Sequence, residues 1–300
     1  MRTLFVWFGL AVTASVCDAQ WFWQNPLPQG NPLWGVSFAD GSTGTAVGEY
    51  GTILHTTDGG MNWRIQSSGT TNILWGVSFA DANTGTAVGD YGTILRTTNG
   101  GTSWTSQSSG TTNYLSGVFF TDANTGTAVG YYGTILRTTN GGASWTSQSS
   151  GTTEGLYGVS FTDPNTGTTV GYPGTILRTT NGGASWTSQS SGTTNALYCV
   201  SFSDANTGTA VGSIGTILHT TNGGTSWTIQ SSGTTNTLYG VSFTDANTGT
   251  AVGDYGIIFR TTNGGASWTS QASGTPNRLT WVSFTDPNTG TAVGYPGTIL

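Results

Sequence analysis

The chain has 300 residues, of which only 7% are charged, and 7 Lys and Arg against 13 Asp and Glu give a formal charge of −6. A phosphate backbone is gripped by clustered cations, so this balance argues against nucleic acid as a partner. Aromatic residues reach 12%, which a disordered chain would lack, so the low charge belongs to a Gly, Ser, Thr and Asn surface around an ample apolar core.

Residues 1–19 stand apart from everything that follows. Arg2 supplies a short basic region, residues 4–12 an apolar stretch, and Cys17-Asp18-Ala19 a small-residue cut before Gln20. This reads as a secretory signal peptide, too short to span a membrane, so export to the periplasm, cell surface or medium is expected, with no integral membrane span. Acylation at Cys17 is the alternative, disfavoured by Val16 directly before it. Cleavage leaves Cys199 without a disulfide partner. It occupies a column held elsewhere by Gly76, Gly117, Gly158 and Gly240, where a small buried thiol fits.

Beyond the leader the chain repeats every 41 residues, marked by Trp63, Trp104, Trp145, Trp186, Trp227 and Trp268 and by a matching column of Phe from Phe38 to Phe284. In one copy, Leu74-Trp75-Gly76-Val77-Ser78-Phe79 is a β-rich apolar run, residues 81–85 a turn, and residues 86–89 a second strand. Residues 93–97 follow as a third strand, Asn99-Gly100-Gly101 as a turn and residues 103–107 as a fourth strand. Such a meander cannot bury both faces alone, but copies packed face to face in a ring can. The spacing predicts an all-β, seven-bladed β-propeller of four-stranded blades, one domain over residues 20–300. Seven first strands are countable, yet only six fourth strands follow a third one. Trp21-Phe22-Trp23-Gln24 matches Trp63-Arg64-Ile65-Gln66, so strand exchange between the two ends is expected to close the ring. The alternative is an array truncated at Leu300, where the repeat would continue with Arg or His and then Thr-Thr.

Most recurring polar residues read as architecture. Thr56-Thr57-Asp58-Gly59-Gly60-Met61-Asn62-Trp63 resembles the Asp-box, or bacterial neuraminidase repeat; the other copies carry Asn for Asp. Asx-Gly suits a turn with positive φ, and the Trp is expected between blades. Asp40, Asp81, Asp122, Asp163, Asp204, Asp245 and Asp286 open turns rather than calcium loops, because Gly85 stands where a third ligand is needed and no Glu follows in register. No metal or cofactor set stands out. Arg96, Arg137, Arg178 and Arg260 share one repeat position with His55 and His219, so they spread blade by blade instead of converging on a substrate carboxylate. Outside the turns the acids are Glu49, Asp90, Glu154 and Asp254. Only Glu49 and Asp90, equivalent in adjacent blades, offer a conceivable hydrolytic pair, and no catalytic residue is assigned.

The full repeat, Leu-x-Gly-Val-Ser-Phe-x-Asp-x-Asn-x-Gly-x-Ala-Val-Gly-x-x-Gly-Thr-Ile-Leu-x-Thr-Thr-Asn-Gly-Gly-x-Ser-Trp, resembles the photosystem II stability/assembly factor family of propellers over residues 21–300. That resemblance implies a non-enzymatic exported propeller that binds proteins and assists assembly. The alternative is an exported Asp-box glycoside hydrolase, sialidase-like, or a glycan-binding propeller. Turns after strands one and three hardly vary, whereas those after strands two and four do. The variable face is therefore the expected contact surface of a monomer for a protein or glycan, through Trp34, Trp75, Tyr91, Tyr132, Tyr157, Tyr198, Tyr239, Tyr255, Asp90, Glu154 and Asp254.

Overall fold

The computed structural model describes residues 20–24 and 30–300; the expected leader over residues 1–19 and the Pro26-Leu27-Pro28 linker lie outside the described residues. The chain winds into seven antiparallel sheets in a ring, each beginning with its first strand at the axis. Blade 1 runs Leu33–Phe38, Gly44–Gly48, Ile53–Thr56 and Arg64–Gln66. The first strands of blades 2 to 6 are Leu74–Phe79, Leu115–Phe120, Leu156–Phe161, Leu197–Phe202 and Leu238–Phe243. Blade 7 contributes Leu279–Asp286, Thr289–Gly294 and Thr298–Ile299. Among the described residues no helix is long and apolar enough to cross a membrane.

In blades 1 to 6 the second strand is buried at every residue, because a neighbouring blade covers each of its faces. Its composition follows from that squeeze. A Cβ on Gly44 would lie 2.5 Å from the Phe38 ring, which folds over the strand, and the same Phe-on-Gly contact recurs in the other blades. The core is correspondingly inter-blade: Val47 and Ile53 of blade 1 pack with Leu74, Val77, Ala87 and Leu95 of blade 2. Each such aliphatic side chain, fully withdrawn from water, contributes about 2 kcal/mol. Cys199 sits in one of these layers with its Sγ 3.7 Å from the Val241 carbonyl, and burial pushes its thiol pKa up to about 11.

Ring closure proceeds through the N-terminal segment. The Gln24 amide donates to the Ile299 carbonyl at 3.1 Å, and Trp21 packs against Phe284 of blade 7 at 5.8 Å between ring centroids. Residues 21–24 form no regular strand, so the sheet of blade 7 has three strands where the others have four, but a circle of side-chain bonds still holds the segment in the fourth-strand place. Trp104 Nε1 donates to Gln66 Oε1 of the preceding blade at 3.1 Å, and the repeat continues round to Trp268 on Gln230 at 3.3 Å. Trp21 donates to Gln271 at 3.0 Å and Trp63 to Gln24 at 2.8 Å, so residues 21 and 24 fill the two vacant places.

Two sequence expectations shift. The fourth strand of blade 2 begins at Thr105, not at residue 103, because Asn99 Oδ1 takes the Ser103 amide into the turn at 3.0 Å. The repeat tryptophans do lie between blades, but only Trp63 is buried, at 6% exposure; the other five keep one edge in solvent.

Candidate functional site: the aromatic mouth

The face carrying the turns after strands one and three is occupied with its own structure. Asp40 Oδ1 accepts from the Ser42 hydroxyl, the Ser42 amide and the Thr43 amide, each at 2.7 Å, which holds its carboxyl below the ordinary range. Arg96 lies over the Phe120 ring at 4.7 Å, donates to Thr86 at 2.8 Å and reaches the Ala123 carbonyl of the next blade. Arg137, Arg178 and Arg260 repeat this tie toward Pro164, Ala205 and Pro287. The arginines therefore lace blades together, as their spacing implied, and do not meet.

His55 and His219 replace arginine in two blades, each holding a threonine hydroxyl on Nδ1 at 3.0 Å. Burial lowers both imidazole pKa values below 6.5. The unfolded chain then binds these protons more readily, so stability is complete above about pH 6.5 and is lost as the pH falls through that value toward the folded pKa. Thermal melts should fall between pH 7 and pH 5, and the double variant His55→Gln/His219→Gln should flatten that window. An unchanged slope would remove the histidines as its cause.

The opposite face is built differently. Leu33 pairs with Gly48 and Gly35 with Val47, so Trp34 is the extra residue of a β-bulge. The bulge recurs in every blade, at Trp75, Ser116, Tyr157, Tyr198, Tyr239 and Thr280. It leaves that side chain half-buried in six blades, while Thr280 is buried and donates to the Leu33 carbonyl of blade 1 at 2.7 Å. The rings then touch from blade to blade: Trp34 with Trp75 at 4.9 Å, Tyr157 with Tyr198 at 5.6 Å and Tyr198 with Tyr239 at 5.3 Å. Burial raises the phenol pKa of Tyr157, Tyr198 and Tyr239.

At Ser116 the column lacks a ring, and the turn residue Tyr131 fills the gap, reaching Tyr157 at 5.9 Å and Tyr114 at 5.8 Å; Tyr114 in turn meets Tyr91 at 5.5 Å. An aromatic arc thus runs from Tyr91 to Tyr239. Tyr114, Tyr131 and Arg278 lie among the variable turns of this face and join the candidate site, although they were not among the contact residues expected from the sequence. The signal for Tyr131 was the small Ser116 beside a doubled tyrosine, Tyr131-Tyr132.

Tyr91, Tyr132 and Tyr255 stand farther from the axis, at the tips of the turns after strand two. Their φ angles are 54°, 56° and 57°, and Tyr50 and Ile214 match them. Left-handed backbone costs a non-glycine residue about 1 kcal/mol, and here it leaves the three rings 63%, 73% and 72% exposed.

The acids are engaged one at a time. Trp75 Nε1 donates to Asp90 Oδ1 at 2.6 Å; Asp254 accepts from Arg278 Nε at 2.8 Å and from the Tyr239 hydroxyl at 3.5 Å. Glu154 is exposed, and its carbonyl receives the Gly133 amide at 2.7 Å. Among the described residues there is no group of three or more His, Cys, Asp and Glu able to hold a metal.

A family model described as "Photosynthesis system II assembly factor YCF48" matches residues 14–105, 63–147, 103–188 and 145–231. The chain belongs to this family. Among solved structures, "YCF48 bound to D1 peptide" is 20% identical with a TM-score of 0.76 over 91% of this chain and 93% of that one. YCF48 from Cyanidioschyzon merolae is 22% identical with a TM-score of 0.76, over 91% and 96%. The GH74 enzyme of Niastella koreensis is 17% identical with a TM-score of 0.73, over 93% of this chain but 53% of the enzyme. Among curated proteins there is no match. At these identities the solved structures speak for the seven-bladed fold and not for a shared activity.

Proposed function

We propose that this protein is an exported, non-enzymatic propeller that binds a protein partner at the aromatic mouth and assists its assembly or stability. One observation carries the reading: all 11 tyrosines of the chain fall on the face of the turns after strands two and four, beside Trp34 and Trp75. Aromatic rings supply large contact area at little conformational cost, and such a concentration is what a protein contact surface needs. Family membership supports it, and a related YCF48 is one that binds a D1 peptide. The leader read over residues 1–19 supports export.

A hydrolase reading draws on the shared fold of GH74 enzymes. Paired carboxylate catalysis needs two acids facing one cleft about 5–10 Å apart. Of the candidate pair, Glu49 and Asp90, which lie on adjacent blades, Asp90 is already engaged by Trp75 Nε1 at 2.6 Å.

Affinity capture from the exported fraction tests the proposal. Trp75→Ala with Tyr91→Ala should abolish partner recovery from a protein that still melts in one cooperative transition, while Asn99→Ala on the opposite face should leave it intact. Recovery lost only with Asn99→Ala would put the site on the other face. Fluorogenic sialosides and β-glucans should remain uncleaved; turnover that disappears in Glu49→Gln or Asp90→Asn would replace this reading with a hydrolase.

A further inference from the structure

We propose that the Trp34–Trp75 quarter of the mouth is a pocket for one arginine side chain of an extended peptide. The inference rests on the mouth being the docking face and names the chemistry it selects.

Blade 6 shows what the repeat does with a guanidinium. Arg278 lies 4.9 Å over the Tyr239 ring while its Nε donates to Asp254 Oδ1 at 2.8 Å. The three groups occupy fixed repeat positions: the bulge aromatic, the first residue after strand two, and the residue before the next blade's first strand. An aromatic ring and a carboxylate make the receptor, and the following blade supplies the cation.

Blade 2 carries the same receptor without the cation. Trp75 stands for Tyr239, Asp90 for Asp254, and Tyr114 where Arg278 would be. The receptor is assembled, since Trp75 Nε1 donates to Asp90 Oδ1 at 2.6 Å. Asp90 is only 9% exposed, yet Arg278 with Asp254 is the ion pair among the described residues. A carboxylate that meets an indole and no opposite charge gains a charge-assisted pair when a ligand offers a cation. Blade 1 has a third aromatic and acid, Trp34 and Glu49, followed by Ile73. In the other four blades the position of the acid holds Tyr or Ser, so the unfilled receptors are adjacent and confined to blades 1 and 2.

Chemistry narrows the occupant. Tryptophan is the best ring for a cation, and Trp34 and Trp75 lie 4.9 Å apart. A planar guanidinium stacks on indole and meets a carboxylate through parallel N–H donors, which an ammonium cannot do. Trp34 Nε1 is a buried donor with no acceptor among the described residues. A backbone carbonyl would satisfy it, which selects arginine within a polypeptide over a free amine. No resident cation competes on these blades at this face: Arg96 is turned to the next blade's Ala123, and Arg64 lines a groove with Asp58 and Asn62.

The test is a titration of the intact protein with acetyl-Gly-Arg-Gly-amide and with its citrulline counterpart, which keeps the shape and removes the charge. Indole N–H resonances of Trp34 and Trp75, assigned through Trp→Phe variants, report binding. The arginine peptide should move both resonances and bind about tenfold more tightly than citrulline, with the preference shrinking in salt. Asp90→Asn keeps an acceptor for Trp75 and should erase the preference. Tyr114→Arg, which supplies a guanidinium where Arg278 stands in blade 6, should block the peptide. Equal binding of citrulline, an arginine preference that survives Asp90→Asn, or silent indoles would each overturn the inference. Partner capture that depends on Trp75 and Tyr91 without any arginine preference would sink this pocket and leave the docking face standing.

Discussion

Trp63→Ala should cost about 5 kcal/mol, more than any other single change among the repeat tryptophans. A buried Trp replaced by Ala loses about 3–5 kcal/mol through lost transfer and the cavity left behind. Trp63 is 6% exposed and meets the Phe38 ring edge-on at 6.0 Å. It also donates to Gln24, itself 8% exposed. Truncation strands that buried amide oxygen, which adds about 1–3 kcal/mol. Trp145 has the same neighbours in kind, Phe120 at 5.9 Å and Gln107 at 3.2 Å, but keeps an edge in water. Trp145→Ala should therefore cost less, about 3 kcal/mol. Urea midpoints with unchanged slopes measure both. A loss below about 1 kcal/mol for Trp63→Ala would mean that the inter-blade wedge does not hold the ring together.

The repeat made the blades legible because each position answers one physical demand. The inner-strand bounds Leu74–Phe79 follow from the residues themselves, since Phe79 must cover Gly85 and Leu74 must fill the layer against blade 1. The fourth strand was less legible: the Asn99 side chain extends the turn through Ser103, and no hydrophobic pattern marks where a side-chain bond ends. At the mouth, Trp34, Trp75, Tyr157, Tyr198 and Tyr239 share a column, so the contacts linking Trp34 with Trp75 and Tyr157 with Tyr239 could be foreseen. Tyr131 and Tyr114 come from other columns and enter the arc only because Ser116 leaves a hole. Arg278 shows the same limit. Its partner Asp254 is 24 residues away, a separation that the repeat period does not advertise.

Deleting residues 21–24 should open the ring at one seam. The segment contributes the backbone bond from Gln24 to Ile299, the Trp21 contact with Phe284 and the Trp21 bond to Gln271. It also supplies the acceptor for Trp63 of blade 1. At about 1 kcal/mol for each hydrogen bond and about 3 kcal/mol for the tryptophan, the loss is about 6 kcal/mol, comparable to the whole stability of many domains. At about 2 °C per kcal/mol for a chain of this length, the melting midpoint should drop by about 12 °C. The second consequence is geometric. Thr298–Ile299 would become an open edge, ready to pair with another chain. Size-exclusion chromatography should then show dimers and larger species where the intact protein elutes as one. Adding a peptide of the sequence Gln20-Trp21-Phe22-Trp23-Gln24 should restore part of the midpoint, since the seam it fills is preformed on blade 7. A deletion variant that stays monomeric with an unchanged midpoint would show that the seventh blade stands without its fourth strand, and the exchanged-strand closure would fall.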